Sequence, residues 1–306
     1  MKFYCLFYVL LTTIYLVITF MKKNLLKILF VGTLAIFTAT SCSSDDSGKE
    51  NKGDGSATMK FKHKTLIEDA TGTWCQYCPR VTYAIEQSKA NEANGKDVVA
   101  VAVHFGIQQY PDPMQITSAG FLQNVYRQAG LTGYPFGLIN RTNKWTSPEP
   151  NNIAQIFSPI IKEGSPVGIK IASALTSEGT GTVTASFKFG LNYSDLKYSI
   201  FVVENGVVTP QSPQQNSTSY YGGPKADANF VHNDVLRGFA GNIAGNTLGN
   251  VTAGQEIVKD KEAVSFQLFN KDLSKVEVVV FVTDGSGKVL NVQIAHANQT
   301  VDYQQL

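Results

Sequence analysis

The chain has 306 residues, 43% of them hydrophobic, and its 26 Lys and Arg nearly balance 24 Asp and Glu. So near-neutral a protein offers no electrostatic footprint for nucleic acid. Its length suits a leader followed by two ordinary domains, each with its own core.

The first apolar run, Phe3 to Phe20, carries no charge and is long enough to span a bilayer. A second unit starts at Met21-Lys22-Lys23, with an apolar stretch from Leu25 to Phe37 and small residues Ala39-Thr40-Ser41 before Cys42. That unit is by itself a complete secretory signal, so residues 1–20 read as an upstream extension and residues 1–42 as a leader. A transmembrane helix over the first run is the alternative. Cys42, followed by Ser43-Ser44-Asp45-Asp46, resembles the processing and surface-export signal of Bacteroidetes lipoproteins, with Ala39 where Leu is usual. The resemblance implies acylation of Cys42 and a lipid anchor in the outer membrane. Several acyl chains together hold where one would be marginal. Lys2, Lys22, Lys23 and Lys27 leave with the leader, which turns the charge balance slightly acidic. Residues 43–59 are Gly, Ser, Asp, Lys and Asn and read as a flexible tether.

An apolar strand pattern over His63 to Asp69 then leads into Thr71-Gly72-Thr73-Trp74-Cys75-Gln76-Tyr77-Cys78-Pro79-Arg80. Two cysteines three positions apart at a strand-to-helix junction can close a small disulfide ring. The unpaired N–H groups of a helix start favour thiolate, the species that attacks disulfides. Half of a zinc site and a structural bridge are the alternatives. Zinc lacks a second cysteine pair or a close His pair, and a bridge this short constrains the unfolded chain little. Cys5 and Cys42 fall in the leader, so Cys75 and Cys78 are the cysteines beyond it.

Asp69-Ala70-Thr71-Gly72-Thr73-Trp74-Cys75 through Arg80 resembles the thioredoxin superfamily. Behind a lipoprotein leader, it resembles the narrower group of lipoproteins related to the twenty-eight-kilodalton outer membrane protein of Bacteroidetes. That resemblance implies a thioredoxin-like α/β domain over 60–165, followed by an all-β immunoglobulin-like sandwich over 166–306. It implies thiol–disulfide exchange on exported proteins, without cofactor or metal. Cys75 would be the nucleophile, Cys78 the resolving thiol, Asp69 a buried proton relay, and Pro135, in cis, the substrate platform; an ordinary trans proline at a strand edge is the alternative for Pro135. Trp74, Gln76, Tyr77 and Tyr134 would flank the substrate. Strand alternation turns one of Glu68 and Asp69 inward, and Asp69 is the candidate; a solvent-facing acid is the alternative. Arg80 either favours thiolate or faces water.

After Cys78, Pro79 suits a first helical turn, Val81, Ala84, Ile85 and Ser88 share a face, and Asn94-Gly95 ends the helix. The unbroken apolar run Val98–Val103 predicts a central strand buried on both faces. Ser118 is placed to cap a helix whose face is Phe121, Leu122, Val125, Tyr126 and Ala129, stopped by Gly130. The extra length between the cysteines and Pro135 falls in Gly106–Thr117, which would rim the site. A last helical pattern, Asn152 to Glu163, is interrupted by Pro159.

From Pro166 the period changes to two. Val167–Ala174, Thr182–Phe189, Tyr198–Val203, Ala263–Phe269, Val276–Val282 and Val289–Ala295 read as strands, with Asp284-Gly285-Ser286-Gly287 as a hairpin turn. Glu204 to Lys261 reads as a long polar connection. Within it, His232, Asp234 and Arg237 resemble a signature of the same lipoproteins and form either a polar site or a hydrogen-bonded packing network. The rival functional class is a surface binding module for a protein partner, its disulfide purely structural.

Overall fold

The computed structural model describes residues 59–212 and 226–306, which are mostly β. The leader, Cys42, the tether up to residue 58 and residues 213–225 of the expected polar connection lie outside the described residues.

β1 (Thr65–Thr71) pairs in parallel with β2 (Val98–His104) and antiparallel with β3 (Phe136–Ile139), which turns back through β4 (Asn143–Lys144). Every residue of β1 and β2 is buried, because helices and further strands cover both faces. α1 (Pro79–Lys89) carries Pro79 at its start and buries Val81, Ala84, Ile85 and Ser88. That face packs on Ile67, Ala100, Ile139, Trp145 and Ile156. Burying a side chain such as Val81 or Ile85 contributes about 1.5–3 kcal/mol. The helix has ended by Ala90, and Gly95 lies in the turn beyond it. Gly95 sits so close that a Cβ there would meet the Lys89 carbonyl at 2.1 Å.

α2 (Ala119–Gln128) buries Leu122 and Tyr126, and Gly130 takes φ +99° just past its end. Two expectations fail here. Ser118 stands at the N-cap but its side chain makes no capping bond, and Phe121 is 65% exposed. The helix expected over Asn152–Glu163 shrinks to a 3-10 turn, Glu149–Asn152, and one α turn, α3 (Ala154–Phe157). Pro159 has no N–H to extend it. Among the described residues, no helix is long and apolar enough to cross a membrane.

β5 (Val167–Leu175), β6 (Thr180–Phe189) and β7 (Tyr193–Glu204) follow as long antiparallel strands. The expected polar connection is instead a run of short and long strands. It holds β8 (Val207–Val208), β9 (Val231–His232), β10 (Val235–Ala240), β11 (Asn246–Val251) and β12 (Glu256–Phe266). β13 (Val276–Thr283) and β14 (Val289–His296) form the expected hairpin, and β15 (Thr300–Val301) adds an edge to β5.

The sheet runs β15-β5-β6-β12-β10-β2-β1-β3-β4, and β7 branches from it to pair with β10, β11 and β13. β10 is the junction. Val235 pairs with Ala102 of β2, Gly238–Ala240 pair with β12, and the other edge lies along β7. The cores are not separate as expected. Ile200 and Val202 of β7, with Val278 and Val280 of β13, face a core shared with β5, β6 and β12. Their alternate residues Phe201, Val203, Val279 and Phe281 face a second core with α2, β1 and β2. Strands that are apolar on both faces therefore bind the two halves of the chain, and the described residues belong to one compact unit.

Candidate functional site

β1 ends at Thr71 and the chain makes tight turns before α1 begins. Gly72 opens them, because a Cβ there would lie 2.6 Å from Trp74 Nε1 and 2.9 Å from the Phe105 carbonyl. Those atoms are donor and acceptor of a 2.7 Å bond that seats the indole. The Cys75 N–H donates to the Gly72 carbonyl at 3.0 Å and the Cys78 N–H to the Cys75 carbonyl at 3.2 Å. Cys75 and Cys78 are joined in a disulfide. Cys78 stands at the N-cap of α1, its side chain making no capping bond, and Cys75 lies a turn earlier. Both are buried, Cys75 at 4% and Cys78 at 1% exposure.

Cys75 lines a cleft of about 920 Å³, together with Trp74, Gln76, Tyr77 and Tyr134. Trp74 and Tyr134 meet edge to face at 5.6 Å, and Gln123 Nε2 holds the Tyr134 hydroxyl at 2.9 Å. The Tyr134–Pro135 peptide is cis, and Pro135 stands directly ahead of β3. The cleft is completed by Gln109, Tyr110 and Pro111 of the Gly106–Thr117 loop, and by Pro210, Gln211, Ser212 and Asp227.

Glu68 and Asp69 are both buried, which corrects the expectation that one would face outward: β1 is covered on both faces, so alternation sends them to opposite interiors. Glu68 accepts two bonds from Arg141 at 2.9 Å and one from Tyr126. Asp69 has an oxygen, Oδ1, with no hydrogen-bond partner, and it lines a cavity of about 210 Å³ with Glu86, Lys89 and Asp234. Burial, then the charges of Glu149 and Asp234, push its carboxyl well above the usual range, against the pull of Arg80. Arg80 does not simply face water: it is paired with buried Glu149 at 2.5 Å.

Three residues that sequence reasoning missed hold the cysteine turns. Asp112 accepts from the Thr73 N–H at 2.7 Å, from the Met114 N–H at 2.8 Å, and bonds His104 Nδ1 at 2.9 Å. Burial alone would raise its carboxyl, but His104 and the two N–H groups outweigh that and hold it below the usual range. Gln211 donates from Nε2 to the carbonyls of Gly72 at 3.1 Å and Cys75 at 2.7 Å. The Pro111-Asp112-Pro113 string was a usable signal for the loop; nothing in the local pattern marked His104 or Gln211.

His232, Asp234 and Arg237 do not converge on one site. His232 stacks edge to face on His104 at 5.4 Å, and burial and that neighbour lower its pKa to about 4. Asp234 binds Lys89 at 2.6 and 2.7 Å. Arg237 reaches Glu204, the Gln267 carbonyl and the Met114 carbonyl. Each thus fastens the β-rich half to a different residue of the first half. Among the described residues, no three His, Cys, Asp or Glu are grouped to hold a metal ion.

A search of curated proteins finds no match. Among solved structures, HBP35 of Porphyromonas gingivalis is similar at TM-score 0.58 and 19% identity, over 79% of this chain and 77% of that one. A structural-genomics protein from Agrobacterium tumefaciens gives 0.46 and 15% over 78% and 97%. The first is a likeness of fold. The sequence model of the outer membrane protein Omp28 matches residues 122–301, a stretch that includes Pro135, Gln211 and Arg237 and begins beyond the two cysteines. With more than half of its length so matched, the chain belongs to the Omp28 outer membrane protein family.

Proposed function

We propose that this protein is a lipid-anchored envelope protein, held through Cys42 and exposed at the cell surface, that carries out thiol–disulfide exchange on exported proteins. Its first half is read as a thioredoxin-like domain and its second as an immunoglobulin-like sandwich. The observation that carries the reading is the asymmetry of the pair: Cys75 lines an open cleft, while Cys78 does not. A substrate thiolate attacks Cys75 Sγ, the Cys75–Cys78 bond breaks, and its electron pair leaves on Cys78 Sγ, which takes the proton of Asp69. A second substrate thiolate then attacks the substrate sulfur of the mixed disulfide and releases Cys75 as thiolate. Two electrons pass from a substrate dithiol to the protein pair, and the reverse sequence reduces a substrate disulfide. Tyr134 and Pro135 form the platform beside the reacting sulfur, with Trp74, Gln76 and Tyr77 around it.

The near-complete burial of both cysteines favours a second reading, a surface binding protein whose disulfide stiffens a loop. The two separate on a trapping experiment. With Cys78→Ser the resolving thiol is gone, so mixed disulfides through Cys75 accumulate on non-reducing gels after acid quenching; with Cys75→Ser none do. Empty lanes for both variants, with no exchange by the purified wild-type pair, would establish the structural disulfide instead.

A further inference from the structure

The segment Thr209–Ser212 comes from the β-rich half yet is stitched to the cysteine turns. The Ser212 N–H donates to the Thr73 carbonyl at 2.7 Å, and the Gln211 side chain grips the Gly72 and Cys75 carbonyls. On its other edge the Thr209 and Gln211 N–H groups donate to the carbonyls of Phe230 at 3.2 Å and Asp227 at 2.9 Å. Gln211 is only 3% exposed, so this strap is part of the wall and not a passing loop. Resting on the exchange reading above, we propose that the strap is a specificity-determining wall. It shapes the cleft for an extended polypeptide with uncharged aromatic or aliphatic side chains beside its cysteine.

The chemistry of the lining selects that occupant. Trp74, Tyr77, Tyr110 and Tyr134 offer ring faces and edges, and Tyr77 and Tyr110 are 41% and 57% exposed. Apolar side chains and flat peptide groups gain most from such surfaces. Gln76, Gln109 and Gln211 supply uncharged amides, and among the described residues no Lys, Arg or His lines the cleft. The carboxylate of the lining is Asp227, on the strap side. An acidic partner, whether a peptide with Asp or Glu next to its cysteine or an anionic tripeptide thiol such as glutathione, meets no counter-charge among the described lining residues. It meets a like charge instead. Gln211 acts as a positioning residue: it fixes the carbonyl of the sulfur-bearing residue without itself touching the reacting atoms.

The experiment uses the reduced full-length protein in detergent with three oxidised substrates. They are a peptide disulfide with Phe and Leu flanking its cysteine, the same peptide with Asp and Glu there, and glutathione disulfide. The apolar peptide is expected to react about tenfold faster than either acidic substrate. Asp227→Lys, a surface change, should close that ratio about three- to fivefold, and less so at high salt. Gln211→Leu should raise KM for the apolar peptide several-fold more than it lowers kcat. Equal rates for all three substrates, while dithiothreitol reduces the pair normally, would overturn the specificity and leave the exchange reading standing. So would a ratio untouched by Asp227→Lys. No reaction with any of them, together with empty trapping lanes, would end both.

Discussion

A neutral histidine buried against a second histidine ties the stability of this protein to pH. His232 has a pKa near 4 in the folded chain and about 6.5 when unfolded, so between those values the unfolded chain binds a proton that the native chain does not. Stability therefore rises with pH through that window and is lost as pH falls through it, by on the order of 3 kcal/mol. The groups facing the ring are His104 and, more distantly, Asp112, with a backbone bond to Thr209. His232→Phe should flatten the difference between denaturant midpoints at pH 7 and pH 5, and an unchanged slope would show that His232 already carries a proton when folded. At this scale the sequence disclosed what chain-local chemistry dictates. The Cys75–Cys78 ring, Gly72, and Pro135 ahead of a strand are all encoded within a few residues. His104 with His232, and Gln211 with Cys75, are meetings of distant segments, and no local pattern marks them. Glu68 was misjudged for a related reason. Its partner Arg141 lies beyond β3, and without that partner an outward-facing acid is the cheaper assumption.

Element by element, legibility followed regularity. β1, α1, β2 and the β13–β14 hairpin were readable because their apolar periods run without interruption. The strands between Glu204 and Lys261 were not, because bulges break the period of two. The register slips between Leu236 and Gly238, between Thr247 and Gly249, and between Lys259 and Glu262. An inserted residue moves every following side chain to the other face, so alternation disappears from the sequence while the pairing survives. β10 depends on one such place. A Cβ on Gly238 would fall 2.3 Å from the Ser265 carbonyl and 2.5 Å from Phe266 Cβ, both on the paired strand β12. Gly238→Val should therefore cost about 3 kcal/mol by overpacking, visible as a lowered denaturant midpoint with little change in slope. A midpoint within experimental scatter of wild type would mean that β12 yields without penalty.

For the whole molecule, the two-faced strands β7 and β13 decide how it unfolds. Val279 and Phe281 sit in the core of the first half while Val278 and Val280 sit in the core of the second, so neither core can open alone. Calorimetry of the full chain should show one transition with calorimetric and van't Hoff enthalpies equal, and residues 59–165 expressed alone should lack a cooperative transition. Two resolved peaks would mean that the shared core is energetically minor. The sequence carried this information in Val276–Val282, where Val279 and Phe281 fill the positions that a one-sided strand would give to polar residues. A different trait of the molecule bears on how it can be rebuilt. Phe61 exchanges two backbone bonds with Ser165, Lys62 donates to Gln304, and Leu306 donates to Lys60. The first and last described segments are thus neighbours, and the fold is nearly a closed ring of chain. Joining them by a short linker and reopening the ring at the exposed Gly285-Ser286 turn would preserve the strand pairings of the described residues while moving β14 and β15 ahead of the cysteine motif in the order of synthesis. Such a circular permutant would begin and end at the turn of the β13–β14 hairpin, and residues 60–62 would follow residues 304–306 across the linker.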